Sequence, residues 1–342
     1  MLSGHGDPAG GVRVTQSAVA SGFARVFQAA GDLVVYEGSE PYRLACWPLT
    51  EAGARSVAGP SASGVAWPQP SALLRVGSAA VDFVGRTAER CRLERWRDGV
   101  ETMAVRLLHG PGGQGKTRLA MQVAGEWRAR CWAVLGAFHR GERQAPEAFE
   151  VPADLDRSAG VLVVVDYAER WDTADLLTLL GDSHVGAGRG IRVRVLLLSR
   201  SAEAWWHDLA YKIQKDLGLV ADRDELLSLE TDPGVSRASL FSAARERFAA
   251  LLGVSGAQTV GSARALDSHD DYRLVLSVHM AALAAVLGMG TTPRDPVEAS
   301  AFLLARERCF WQALQNRAVE PVTATPDAMA QLVYTAPPSR AR

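Results

Sequence analysis

One octapeptide constrains this chain more than any other feature. Gly110-Pro111-Gly112-Gly113-Gln114-Gly115-Lys116-Thr117 reads G-x-x-x-x-G-K-T, the spacing of a phosphate-binding loop. The apolar run Val105-Arg106-Leu107-Leu108 before it suits a buried strand, and Arg118-Leu119-Ala120-Met121-Gln122-Val123-Ala124 after it has helical composition. Glycines let the backbone turn so that successive N–H groups converge on phosphate oxygens. The following helix adds the positive end of its dipole at the same place. In such a loop Lys116 reaches the β- and γ-phosphates and the Thr117 hydroxyl ligates Mg²⁺.

The remaining pattern implies a parallel sheet. Runs suited to strands at 131–135, 161–165, 191–198 and 225–229 alternate with helical stretches, which predicts a sheet covered by helices on both faces. The fully apolar Val161–Val165 reads as its central strand. Thr87 reads as the cap of a helix that runs to Arg97. After Asp232-Pro233 the periodicity is helical only, over 236–253, 269–287 and 297–317. The expected class is thus α/β, a P-loop NTPase with a parallel sheet and an all-α lid-like subdomain. The expected layout is a hairpin-like segment at 1–40, a Pro/Gly/Ser-rich linker at 41–78, the NTPase domain at 79–232, the helical lid at 233–335 and a disordered tail at 336–342.

Asp166 ends the central run, where a carboxylate can serve the magnesium directly or through water. Tyr167 follows, and Glu169 is the next acid, placed to polarise an attacking water. Arg200 follows the strand ending at Leu198 and can meet a γ-phosphate. His109, Trp205, Trp206 and His279 read as packing residues, with a nucleotide contact from a helical lid open for His279. The chain of 342 residues has a net charge of −1, and on that ground nucleic acid is not indicated as a partner. Its four cysteines form no metal or redox spacing. The longest near-apolar helical stretch, Met280 to Met289, is too short to span a bilayer. The expectation is a cytoplasmic protein with no membrane partner.

Four elements in order resemble the STAND class of P-loop ATPases, which includes the NB-ARC proteins, and more broadly the AAA+ type ATPases. They are Phe83-Val84-Gly85-Arg86 with Glu89, the loop Gly110–Thr117, Val161–Asp166 with Glu169, and Val193–Leu198 with Ser199-Arg200. The resemblance implies ATP or ADP with Mg²⁺ as ligands. It implies nucleotide contacts from Val84, Gly85 and Arg86 at the adenine end, and from the loop with Arg118. It implies metal contacts from Thr117 and Asp166, and catalytic work by Lys116, Asp166, Glu169 and Arg200. A slow ATPase acting as a signalling switch, with a protein partner or self-association on ATP binding, follows from the resemblance alone. An AAA+ ATPase working on nucleic acid or protein, and a nucleotide-binding interaction module, are the alternatives. The chain departs from the family at Asp166-Tyr167, where two acids are usual, and lacks a clear Gly-x-Pro element. Family members continue into a winged helix and repeats, so a minimal or truncated member, or one whose partner domains lie on another chain, is expected.

Overall fold

The computed structural model describes residues 41–47, 69–139, 157–182, 190–229, 232, 234–255, 264–289 and 292–315. The expected hairpin at 1–40 and the tail at 336–342 lie outside them.

Among the described residues six strands form one sheet: β1 (Tyr42–Cys46), β2 (Met103–His109), β3 (Trp132–His139), β4 (Gly160–Val165), β5 (Arg192–Ser199) and β6 (Val220–Glu225). Their spatial order is β1-β3-β4-β5-β2-β6. All neighbours are parallel except β1, which runs antiparallel to β3 with Tyr42 opposite His139. Parallel strands need crossovers, and the helices that supply them bury both sheet faces. The alternation along β4 shows this directly. Val161, Val163 and Val165 join the core with α4 (Thr173–Gly181) and α5 (Ala204–Leu217). Leu162 and Val164 join the opposite core with α2 (Thr87–Arg97) and α3 (Lys116–Arg128). Trp206 is buried against the first face and Trp205 partly so, the covering role their sequence position predicts.

A third core belongs to the all-α, lid-like part. Its helices are α6 (Arg237–Leu252), α7 (Arg264–Ser268), α8 (Val275–Ala284) and α9 (Pro296–Gln315). Phe241, Ala244 and Phe248 of α6 pack against Val278, Ala281 and Ala282 of α8. Ser236 caps α6 in a reciprocal box with Ser239, satisfying two otherwise orphaned amides.

Three sequence expectations are corrected. Residues 41–78 are not simply a linker, because β1 is a sheet strand with Tyr42 and Leu44 buried. Within the same range α1 (Pro70–Leu74) contributes Leu73 to the core of the helical part. The last strand is Val220–Glu225 rather than 225–229. Its acids at the sheet edge pair with Arg106, so it carries no hydrophobic signal, while Leu226 and Leu229 are core residues beyond its end. Finally, the cap of α2 is not Thr87. Arg86 holds that position in the left-handed conformation, and Asp232 accepts the Thr87 amide at 3.2 Å.

Candidate nucleotide site

Beta strands 2, 4 and 5 end together, with β5 between the other two. Pairing sets His109 opposite Ser199 and Val165 opposite Leu197. The phosphate loop, Asp166 and Arg200 therefore leave the same edge of the sheet, the place where open parallel sheets bind ligands. A cavity of about 490 Å³ opens there, within the size range of small-molecule sites. Gly112–Arg118, Asp166, Tyr167 and Arg200 line it, as do Val84 and Arg86. Gly85, Gly110, Pro111 and Glu169 do not.

Inside the loop, Lys116 donates to the carbonyls of Gly110 at 2.6 Å and Pro111 at 3.0 Å. Burial lowers its pKa, with the charge of Arg200 adding to that and the charges of Asp166 and Glu169 opposing it. Thr117 donates its hydroxyl hydrogen to Asp166 Oδ2 at 3.0 Å. The Tyr167 amide donates to Asp166 Oδ1 at 2.9 Å. Burial nonetheless raises the Asp166 pKa. Desolvation thus works against both the cation and the anion here. A polyphosphate would stabilise the first and a divalent cation the second.

The donor set fits Mg²⁺ in particular. Among the described residues no group of three or more His, Cys, Asp or Glu is gathered to hold a metal. Magnesium is usually held by one or two protein oxygens together with phosphates and waters, and the Thr117 hydroxyl beside the Asp166 carboxylate supplies two.

Beyond the edge of the sheet, Glu169 accepts the Arg200 amide on Oε1 at 3.3 Å. Its Oε2 is buried with no protein partner. Arg86 is buried, and its guanidinium is committed to the protein. It donates to the carbonyls of Leu227 at 2.6 Å and Gln114 at 3.0 Å, beside Glu89 at 3.3 Å. It thus fastens the chain beyond β6 to the phosphate loop. Gly85 faces the other way. A Cβ there would lie 2.7 Å from Asp232 Oδ2, and its φ is +72°, so glycine allows Asp232 to reach α2.

Several lining residues carry no sequence signal. Leu73–Phe83 forms a strap along one wall, apart from Gly77. Its anchors are far apart in the chain. Glu307 of α9 accepts from Gln69 at 2.7 Å and from the Ser71 amide at 3.1 Å. Arg247 of α6 donates to Ala80 O at 3.3 Å, and Arg118 of α3 donates to Val81 O. The helical part closes another wall. The Leu276 amide, in the first turn of α8, donates to Gly113 O at 3.0 Å. Gly113 has φ +82°, and a Cβ on it would stand 3.1 Å from that of Leu276. His279, one turn on, also lines the cavity. Burial, aided by the charge of Arg118, lowers its pKa to about 4.

No protein-family model and no curated protein matches the chain. Among solved structures it is similar to the Aeropyrum pernix ORC2 protein in ADPNP–ADP complexes, with 17% identity, TM-score 0.39, and 66% of this chain and 70% of that one covered. It is similar to NtrX from Brucella abortus in complex with ATP, with 14% identity, TM-score 0.37, and 69% and 63% covered. A third is Drosophila ORC bound to DNA, with 17% identity, TM-score 0.34, and 65% and 67% covered. The DNA in that third structure corrects the expectation that nucleic acid is not indicated. A net charge of −1 is a whole-chain sum and does not describe local surface charge. At these identities and TM-scores the likeness is one of general fold.

Proposed function

We propose that this chain is a Mg²⁺-ATP-binding P-loop NTPase of AAA+ type that works on a macromolecule, nucleic acid or protein. The observation that carries the nucleotide reading is the meeting of Lys116, Thr117, Asp166 and Arg200 around one cavity, with Thr117 hydrogen-bonded to Asp166. Backbone amides of Gly112–Thr117 hold phosphate oxygens. Lys116 exchanges its hold on the loop carbonyls for the β- and γ-phosphates. Thr117 and Asp166 hold Mg²⁺, which would neutralise charge on the phosphates when bound. The apolar wall around Leu73, Val81 and Phe83 suits a nucleobase, with Val84 at its margin. Glu169, its buried oxygen unpartnered, is the candidate to orient water for slow hydrolysis.

The nucleotide reading is tested by Lys116→Ala. A folded variant that no longer binds a fluorescent ATP analogue is the expected result, and unchanged affinity would refute the reading.

A second reading, a STAND-like switch, is favoured by the bond between Leu276 of α8 and Gly113 of the loop. Through it a bound phosphate can bias the helical part directly. The two readings separate on the ATPase rate. Stimulation by duplex DNA or a protein substrate supports the first, whereas a slow, unstimulated rate with copurifying ADP supports the second.

A further inference from the structure

We propose that Tyr167 is a positioning residue that holds Arg200 towards the terminal phosphate, and so raises the preference of the site for a triphosphate over a diphosphate. The inference rests on the nucleotide reading above. Tyr167 stands directly after Asp166, in the left-handed conformation at φ +53° and ψ +43°, a region that side chains other than glycine seldom adopt. Its backbone is pinned on both sides. The amide donates to Asp166 Oδ1 at 2.9 Å, and the carbonyl accepts the Arg170 amide at 2.9 Å. This turn sets the ring beside two cations. The guanidinium carbon of Arg170 lies 4.3 Å from the ring centroid and that of Arg200 5.5 Å. Both distances fall within cation–π range.

Arg200 is otherwise free to meet an anion. Among the described residues no carboxylate pairs with its guanidinium. It sits against the loop, with Nε 3.9 Å from where a Cβ on Gly112 would be. An aromatic ring attracts a guanidinium without taking its N–H groups into strong hydrogen bonds, so those donors stay available for phosphate oxygens. The ring therefore restrains the side chain without competing for its donors. An acid at position 167 would do the opposite, since it would form an ion pair and occupy those donors. Restricting the arginine before the ligand arrives reduces the ordering cost of binding. Only a ligand carrying the third phosphate gains from this.

The experiment titrates the full chain with Mg-ADPNP and Mg-ADP. Tyr167→Gly removes the ring and suits the left-handed backbone, so the fold is preserved. It should weaken ADPNP about two- to five-fold, the span of an exposed cation–π contact, and leave ADP unchanged. Tyr167→Phe should match the parent. In an Arg200→Ala background, Tyr167→Gly should have no further effect. Equal losses for both nucleotides, no loss for ADPNP, or the same loss without Arg200 would each overturn the proposal. If the parent binds neither nucleotide through Lys116, the nucleotide reading fails and the inference with it. If Lys116-dependent binding is intact and Tyr167→Gly has no effect, the inference alone fails.

Discussion

Individual side chains in this site are held out of their comfortable charge states. Asp166 is half-buried, its carboxylate shared between Thr117 and the Tyr167 amide. In Asn the remaining oxygen can still accept the Tyr167 amide, the Thr117 hydroxyl turns to accept from the new NH₂ group, and the anion is removed. Asp166→Asn should therefore weaken nucleotide binding with magnesium far more than without it, and equal losses in a paired titration would limit Asp166 to a structural role. His279 gives a pH-dependent prediction. Its folded pKa of about 4 lies below the ordinary value near 6.5. The unfolded chain binds the extra proton first, so the full contribution to stability is present above about pH 6.5 and falls as the pH drops towards 4. Between pH 7 and pH 5 this amounts to about 2 kcal/mol. Denaturant melts of the parent and of His279→Gln should converge as the pH is lowered, and parallel curves would contradict the burial argument. The loop residues and Asp166 were legible in the sequence because each declares itself within a few neighbours. Arg86 was not. Its partners, Leu227 O and Gln114 O, are remote in sequence, and nothing local distinguishes a guanidinium turned onto carbonyls from one turned onto a base.

Elements were readable where their hydrophobic pattern is their own. Strand β4 is apolar throughout, so its sequence run 161–165 falls within one residue of its bounds, and α3 is announced by the loop that precedes it. By contrast, β1 has five residues, YRLAC, in a stretch rich in Pro, Gly and Ser. Its strand character comes from pairing with β3, a tertiary fact. Edge strand β6, VADRDE, has only Val220 and Ala221 as apolar residues and escaped for the same reason. Arg194, inside β5, reads as a polar residue in an apolar strand, but it is 0% exposed. Its guanidinium donates to Trp96 O at 2.8 Å, and to Gly99 O and Glu101 O at 2.9 Å each, closing the turn between α2 and β2. Replacing it strands three carbonyls. Arg194→Leu should cost about 3 kcal/mol, measured by urea unfolding, and a loss below 1 kcal/mol would mean that water replaces the guanidinium.

At the scale of the whole molecule, the division into a sheet domain and a later helical part was legible from the switch in periodicity after Asp232-Pro233. How the two parts meet was not, because the contact of Leu276 with Gly113 joins a helix start to a loop carbonyl and leaves no trace in composition. If that contact couples them, Mg-nucleotide should slow amide hydrogen exchange in α6 and α8 as well as around Gly110–Thr117. Protection confined to the loop and the end of β4 would separate the helical part from the nucleotide cycle. No helix of the described residues is long and apolar enough to cross a membrane. The tie of Gln69 and Ser71 to Glu307 spans 238 and 236 residues, and it bears on how the protein is made. Synthesis runs from the N-terminus, and such a distant contact waits for its later partner. The phosphate loop can fold as soon as β5 and its helices have left the ribosome. The strap along the cavity wall cannot be fastened to Glu307 until α9 has followed. On the proposed nucleotide reading, a newborn chain would thus acquire its grip on phosphate well before it acquires this fixed wall, and a nucleotide met early would be held by one end only.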